Sequence, residues 1–358
     1  MSKKYSQLTA MLAVTKASLR SIFRSPSAIV FSIGFPLIFI VVFGFIGGNG
    51  RLSLSVAINK NADTLNPVYG LVKNVPGLKI VNKTETEIAQ DLAKGRIVAV
   101  IDIQKNALAT PAYLVTLKSS EAVNPQNLQI LSSLLNSINA PTVASISKDI
   151  QKVPGRVYRT IDFILPGQLG FSLLSAGIFG VAFLFFNLRQ QLVLKRFFAT
   201  PISRTHIILG ECLSRVIFQM FTAVIIIGVG TFAFHFTLVN GVVTFLEIMV
   251  LSFIALVVFM GFGFVVTSMA KSESTIPPLA NLFTMPQFLL AGTFFPIDAF
   301  PSWLQPICRV LPLTHFNNAM RLIAFEGASL VSCWKEIGVL CLWGVGVYIV
   351  AVKVFKWE

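Results

Sequence analysis

Apolar positions along this chain gather into long blocks with few or no charges, at residues 28–48, 163–188, 207–234, 242–269, 275–297 and 337–352. These blocks exceed the four to eight residues of a buried strand, and runs of about 18 or more read as membrane-crossing helices. The pattern predicts six spans. The last block is short for a bilayer, so Lys353 and Lys356 must flank it or snorkel. The N-terminal stretch is polar and basic and the apolar run behind it too long for a signal h-region, so the first block reads as a retained span.

Ahead of the first block the period is that of an amphipathic helix. Leu8, Met11, Leu12, Thr15, Leu19, Ile22 and Phe23 recur at helical spacing, while Lys16, Arg20 and Arg24 form a stripe four residues apart. Such a helix lies in the membrane interface, apolar face in lipid and cations at the headgroups. The alternative is an ordinary surface helix packed on the bundle.

Between Arg51 and Arg159 the pattern becomes that of a water-soluble domain. Residues 52–58, 78–81, 97–103 and 113–117 read as strands. Residues 84–93 read as a helix, with Thr84 as N-cap and Glu87 completing a capping box. Asn124 and Pro125 start another, along which Leu128, Leu131, Leu134, Leu135 and Ile138 line one face. The fold class expected is an α-helical polytopic membrane protein with six transmembrane helices, plus an extracytoplasmic mixed α/β domain between helices 1 and 2. Its parts are an interfacial helix at 1–25, the first span at 26–50, the α/β domain at 51–160 and spans two to six at 161–358.

Composition supports the picture. Hydrophobic residues make up 54% of the 358 and charged residues only 12%, about half the charge of an ordinary soluble domain. The net charge of +14 would point to nucleic acid in a soluble protein, but the cations here sit mostly beside apolar blocks or in the α/β stretch. Anionic lipid headgroups are the expected partner, and nucleic acid is not. Cys212, Cys308, Cys333 and Cys341 have no metal-ligand spacing, and His206, His235 and His315 lie far apart, so no metal site is expected. Cys308 and Cys333 fall on one predicted side of the membrane, which leaves both a disulfide and two packing thiols open.

Orientation follows from basic residues in short flanks and loops. Lys3, Lys4, Lys16, Arg20 and Arg24 place the N-terminus in the cytoplasm. An alternating path then puts residues 51–159 outside, and the 189–204 loop, Lys271 and the Lys353, Lys356 tail inside. Both termini are cytoplasmic on this path, in the cell (inner) membrane. The stretch 295–336 falls outside, yet it is apolar and broken by Pro296, Pro301, Pro306 and Pro312. Such segments pack as short helices on the bundle or dip part way into the membrane.

Two groups of residues are candidates for function. In the loop NLRQQLVLKRFFATPISRTHIILG a basic helix ends at Thr200, Pro201 breaks it, and Ser203 caps the helix that opens the third span. A short rigid helix carrying Arg189, Lys195, Arg196 and Arg204 suits the passage of force from a cytoplasmic partner, although the positive-inside rule alone also accounts for these cations. In the third span Glu211, Arg215 and Gln219 lie four apart on one face. A charge at mid-bilayer costs on the order of 2.5 to 3.5 kcal/mol, so such residues are functional candidates, with Glu211 and Arg215 placed to pair. A gate or coupling contact and a structural ion pair are both open. Phe179, Phe183 and Phe186 could line an apolar path, but aromatic residues at helical spacing are more often core or lipid-facing.

At this point the chain resembles the membrane (permease) subunits of type-2 ABC export systems. Ala199, Thr200, Pro201, Ile202, Ser203, Arg204 and then Leu209, Gly210 look like the family's segment after its coupling helix. FFPIDAFPSWLQPICRVLPLTHFNNAMR, residues 294–321, is similar to the family's proline-punctuated outer segment. The layout of one span, an outer α/β domain and five more spans matches as well. Members often carry an acidic residue and a glycine in the first half of the loop, where this chain has Arg189, Gln190, Gln191, Leu192 and Val193.

The resemblance implies a permease subunit of an ATP-driven exporter for a hydrophobic or amphipathic substrate, a drug-like compound or lipid. It also implies a separate ATPase subunit docking on a coupling loop at 187–206 through Arg189, Lys195, Arg196, Thr200, Pro201 and Arg204, and a second permease copy. No G-x-x-x-x-G-K-[ST] phosphate loop occurs in the sequence, so ATP and Mg are expected on the partner, with no cofactor and no catalytic site on this chain. Two other readings stay in view. One is a membrane-anchored assembly or binding protein acting through its outer domain. The other is an ion-coupled transporter, a class that keeps ionisable residues near mid-membrane and often shows repeats.

Overall fold

The computed structural model describes residues 6–46, 54–59, 62, 67–73, 75, 78–105, 113–123, 125–136, 144–146, 151–153, 159–190 and 201–354. The chain divides into two compact units, one of residues 1–45 with 161–358 and one of residues 46–160.

Helix α1 (Gln7–Phe23) starts at Ser6, whose hydroxyl accepts the Thr9 amide at 3.4 Å. The first apolar block forms α2 (Pro26–Ile29), a wider π-helical turn at Val30–Gly34, and α3 (Phe35–Ile46). The widening has a local cause. Pro36 has no N–H to give to the carbonyl four residues back, that of Ser32, and Phe35 reaches five back, to Val30. The Ser32 carbonyl takes the Ser172 hydroxyl instead, at 2.8 Å.

The second unit holds β1 (Leu54–Ile58), α4 (Pro67–Lys73), β2 (Leu78–Ile80), α5 (Glu85–Ala93), β3 (Ala99–Lys105), β4 (Tyr113–Ser120), α6 (Pro125–Asn136), β5 (Ala144–Ile146) and β6 (Gln151–Val153). The sheet runs β2-β1-β3-β4-β5, with β6 also on β4. Every pairing is parallel except β3 with β4, where Ile101 faces Leu117. Val56, Ile101, Ile103 and Leu117 from the strands bury against Leu131 and Leu135 of α6. The four expected strands are present within a few residues of their expected bounds, while α4, β5 and β6 were not anticipated. Glu87 closes the expected capping box, accepting the Thr84 amide at 3.0 Å and the Thr84 hydroxyl at 2.7 Å. Gly95, at φ 68°, ends α5 where a Cβ would lie 2.8 Å from the Ala122 carbonyl, so only glycine closes this turn without strain.

The first unit continues with α7 (Thr160–Gln190), α8 (Arg204–Phe234), α9 (Val242–Met269), α10 (Ile276–Leu290), α11 (Gln305–Val310), α12 (Pro312–Arg321), a π-helical turn at Leu322–Glu326, and α13 (Trp334–Val354). Among the described residues four helices are long and apolar enough to cross a membrane: Thr160–Gln190, Thr205–Phe234, Val242–Met269 and Val331–Val354. The first and fifth expected spans are different. The first carries the π-helical turn, and the fifth, α10, has 15 residues, about 22 Å against a hydrocarbon core of about 30 Å.

Helix α7 is the hub, with Leu165, Leu169, Leu173, Leu174, Ile178 and Val181 fully buried. It meets α9 almost backbone to backbone: a Cβ on Gly263 would lie 2.7 Å from the Gly177 carbonyl and 2.8 Å from that of Ile178. Helix α8 ends at His235, φ 56°, and the next amides bond to the Gly230 carbonyl and to Asp162 Oδ1, both at 2.8 Å. Glu247 accepts the Leu330 amide at 3.1 Å.

The proline-rich stretch packs as short helices. Helix α12 runs alongside α10, the Leu313 amide donating to Gln287 Oε1 at 3.3 Å and Asn317 Nδ2 to the Ala291 carbonyl at 3.0 Å. Arg321 then fixes the outgoing end, donating to the carbonyls of Gly292 at 2.5 Å and Phe163 at 2.9 Å, over the Phe163 ring at 3.9 Å. At the other end the Val310 carbonyl takes Trp343 Nε1 at 2.8 Å. Helices α11 and α12 thus form a hairpin whose tip, at Leu311, reaches about two turns along α13. Cys308 and Cys333 are buried free thiols, not a disulfide.

Candidate functional site

The described residues among those that the sequence marks lie at one end of the bundle and in the contacts that lead away from it. At the end of α7, Arg189 stacks over Phe186 at 5.4 Å and donates to the Ala270 carbonyl at 2.9 Å, tying α7 to the end of α9. Lys195, Arg196 and Thr200 lie outside the described residues. The described chain resumes at Pro201, which is exposed, and Arg204 opens α8.

The side chain that organises this turn is Gln7, the first residue of α1. Its Nε2 donates to the Pro201 carbonyl at 2.6 Å and its Oε1 accepts the Ser203 amide at 2.9 Å. Ser203 caps α8 and bonds His206 Nδ1 at 2.6 Å. One glutamine therefore clamps the end of the loop to α1.

Helix α1 lies along the first half of α8, which favours the packed-helix reading for one of its faces. Thr15 donates to the Gly210 carbonyl at 3.0 Å, and a Cβ on Gly210 would lie 2.8 Å from the Met11 carbonyl. Ser18 donates to Glu211 Oε2 at 2.5 Å, and the Phe23 ring meets Phe218 edge-on at 5.3 Å. Lys16, Arg20 and Arg24 remain exposed, as do Leu8 and Leu12.

Glu211, Arg215 and Gln219 do share a face of α8, and the charges of Glu211 and Arg215 feel one another without direct contact. Glu211 takes the Ser18 hydroxyl, and among the described residues no ion pair joins it to Arg215, contrary to the pairing expected from their spacing. Arg215 extends to α7, where Gly180 makes room for it: a Cβ there would lie 2.9 Å from Nη1. Gln219 Nε2 donates to Ser172 Oγ at 2.8 Å, and Ser172 in turn donates to Ser32 of the first block.

The contacts compose a path of two polar clusters joined by α8 itself. One runs from the Pro201 turn through Gln7 and α1 to Glu211, and the other from Gln219, two turns further along α8, to Ser172 of α7 and Ser32 of the first block. Gln168, Ser172 and Ser175 lie four and three residues apart on one face of α7. Among the described residues, both amide atoms of the fully buried Gln168, the Ser175 hydroxyl, Arg215 Nε and Gln219 Oε1 have no hydrogen-bond partner. Sequence reading passed over Gln7, Ser18, Ser32, Gln168 and Ser172. The signals were the polar i, i+4, i+7 spacing inside an apolar block and a proline four residues after a serine.

Beside this path the first block presents Phe35, Phe39 and Phe43 to Phe171, Phe288 and Phe294, with centroids 3.9 Å apart at the closest pair, Phe171 and Phe288. Phe179 and Phe183, by contrast, stack on each other at 6.4 Å.

Comparison with known proteins agrees with this architecture. The chain is 27% identical over 149 residues, 42% of its length, to the Escherichia coli K12 protein named Probable multidrug ABC transporter permease YbhR. It is 22% identical over 97% of its length to ABC transporter G family member 20 of Dictyostelium discoideum. It is 27% identical over 60% of its length to Nodulation protein J of Rhizobium meliloti, 82% of which is covered. The matched stretches span 40% of YbhR and 51% of the Dictyostelium protein. The family model described as ABC-2 family transporter protein matches residues 26–353, nearly the whole sequence, and the chain belongs to that family.

Proposed function

We propose that this chain supplies the membrane path of an ATP-driven exporter, worked by a separate ATPase that docks on residues 187–206 and α1 from the cytoplasm. It crosses the membrane six times, with the first block and α10 as the two irregular crossings, both termini cytoplasmic and the α/β unit outside. Two copies pair to form the path, and the substrate is a hydrophobic or amphipathic small molecule or lipid. The phenylalanines of the first block, α7 and α10 offer such a molecule an apolar, aromatic surface.

The observation that carries the reading is the polar path from the Pro201 turn to Ser32. Movement of the loop, driven by closure of the nucleotide-binding partner, pulls on Gln7 and α1 together and rotates α8. Gln219 and Ser172 hand that motion to the π-helical turn of the first block, the least regular point of the bundle.

The test is the double substitution Gln219→Leu with Ser172→Ala, assayed in membranes containing the ATPase. A coupling role predicts export of a hydrophobic fluorescent cation reduced about tenfold, the range of ordinary coupling energies, with ATPase recovery and basal hydrolysis little changed. Unchanged export would remove the coupling path. Failure to recover any ATPase with the solubilised chain would favour an anchor or ion-coupled protein instead.

A further inference from the structure

The α11–α12 hairpin fills the space between α9, α10 and α13 only as far as its tip, where Val310 meets Trp343. Beyond the tip no helix among the described residues occupies the gap. What remains is an open groove of about 610 Å³ lined by Phe262 and Val265 of α9, Phe283 of α10, Val310, and Gly346 and Val350 of α13. Its lining is almost wholly apolar, and Phe262 sits between the rings of Phe283 at 5.6 Å and Trp343 at 6.0 Å.

We propose that this groove holds one acyl chain of an anionic phospholipid from the leaflet at the Arg189 end of the bundle, a structural lipid distinct from any transported substrate. Three features select that occupant. Length is the first: below the roof the α13 wall runs from Trp343 to Val350, about 10 Å, which lies within the roughly 15 Å depth of one leaflet of a hydrocarbon core. Direction is the second, since the hairpin tip roofs the groove at Val310 and Trp343, so a chain enters from the other end.

Charge is the third. Exposed Lys353 lies three residues beyond Val350 on α13, and exposed Lys271 lies in the connection between α9 and α10 at the same end, with exposed Glu273 the acidic residue beside it. Two cations flanking an apolar slot match a phosphate above an alkyl tail. The inference rests on the proposed reading of the bundle as membrane-embedded, and it assigns the lipid to the cytoplasmic leaflet if the proposed orientation holds.

Gly346 supplies the decisive variant. A Cβ there meets nothing within 4 Å, so a larger side chain fills the groove without disturbing the helices around it. The experiment places the full chain, with its ATPase if one copurifies, in nanodiscs of phosphatidylcholine doped with a phosphatidylglycerol bearing a diazirine near its acyl terminus. Photolabel mapped by mass spectrometry is expected on the segments containing Phe262 to Val265 and Gly346 to Val350.

Gly346→Phe should lower that label about tenfold, as expected when a couple of methylene groups lose their burial, with the thermal midpoint held. Val350→Trp should do the same by an independent route. Lys271→Gln with Lys353→Gln should retain the site but abolish the preference for phosphatidylglycerol over an equally labelled phosphatidylcholine. Label spread evenly over exposed α8 residues such as Phe221 and Phe232, and unchanged in Gly346→Phe, would overturn the proposal. So would chain-to-chain crosslinks at α13 in place of lipid adducts, which would give the groove to a second copy. Both leaflets of a nanodisc share one composition, so the result does not depend on the orientation, whose failure is read separately by surface labelling.

Discussion

Ser172 shows how much a single side chain organises here. Its hydroxyl gives the Ser32 carbonyl the donor that Pro36 withholds and accepts Gln219 at the same time. An unsatisfied buried polar group costs about 1–3 kcal/mol, although hydrogen bonds between membrane helices average only about 0.6. Ser172→Ala should therefore lower stability by about 1 kcal/mol, since it orphans a backbone acceptor as well as a side-chain donor. Reversible unfolding in detergent would measure it, and Gln219→Leu added on top should cost little more because its partner is already gone. Glycines divide in the same residue-by-residue way. A side chain at Gly263 strikes backbone oxygens of α7 that cannot yield, so Gly263→Leu should cost about 2 kcal/mol or more, whereas Gly338→Ala, open to 4 Å, should cost nothing measurable. In the α/β unit, the hydroxyl and amide of Thr84 hold the Glu87 carboxyl below its ordinary value of 4.5. A carboxyl whose folded pKa is depressed stabilises the fold above its unfolded value and loses that contribution as pH falls through the folded one. Amide exchange at the start of α5 should accordingly rise below pH 4.5, and Glu87→Gln should remove most of that dependence.

Helix α1 is the element whose faces matter most, and the sequence disclosed the stripes but not what they touch. Its period gave an apolar stripe and a cationic one, and both Leu8 with Leu12 and Lys16 with Arg20 and Arg24 are exposed. Met11 and Thr15 of the apolar stripe, with Ser18 beside them, grip α8 through groups no period reveals, a glycine and a carboxylate some 195 and 193 residues away. Long elements with a strong pattern were legible: α7, α8, α9 and α13 all fall on expected blocks, and the Thr84 capping box fixed α5. Elements that depend on partners were not. The short strands β5 and β6 exist through pairing with β4, the π-helical turn depends on Pro36 and Ser172 together, and the expected pairing of Glu211 with Arg215 gave way to a serine on α1 and a glycine on α7. Packing at Gly210 offers a clean element-level test. Gly210→Val puts a side chain where α1 passes, so α1 should detach and limited proteolysis near Arg20 and Arg24 should speed up, while the α7 and α9 core stays intact. Equal cleavage of both proteins would mean that α1 is held elsewhere.

For the whole molecule, the proposed orientation of the bundle rests on the distribution of charge. Arg189 closes α7, Arg204 opens α8, Lys271 joins α9 to α10, Lys353 ends α13, and α1, clamped to the same end through Gln7 and Pro201, adds Lys16, Arg20 and Arg24. Cations in short connectors set topology through their retention in the cytoplasm, whereas a domain as large as residues 46–160 crosses regardless of its charge. On the proposed reading both give the same orientation, with the α/β unit outside. The prediction is specific to two positions. A cysteine at exposed Lys73, in α4, should react with a membrane-impermeant maleimide added to intact cells, and one at Ile202, in the Pro201 turn, should react only after permeabilisation. The native thiols complicate this little, since Cys308 and Cys333 are buried, and the exposed Cys341, in the middle of an apolar helix, faces lipid on the proposed reading. Reaction at Ile202 in intact cells would place the docking turn on the wrong side for an ATPase. It would leave the packing of the bundle untouched, because hydrogen bonds such as that of Gln219 with Ser172 hold in either orientation, but the coupling that they are proposed to carry would have nothing at its cytoplasmic end to drive it.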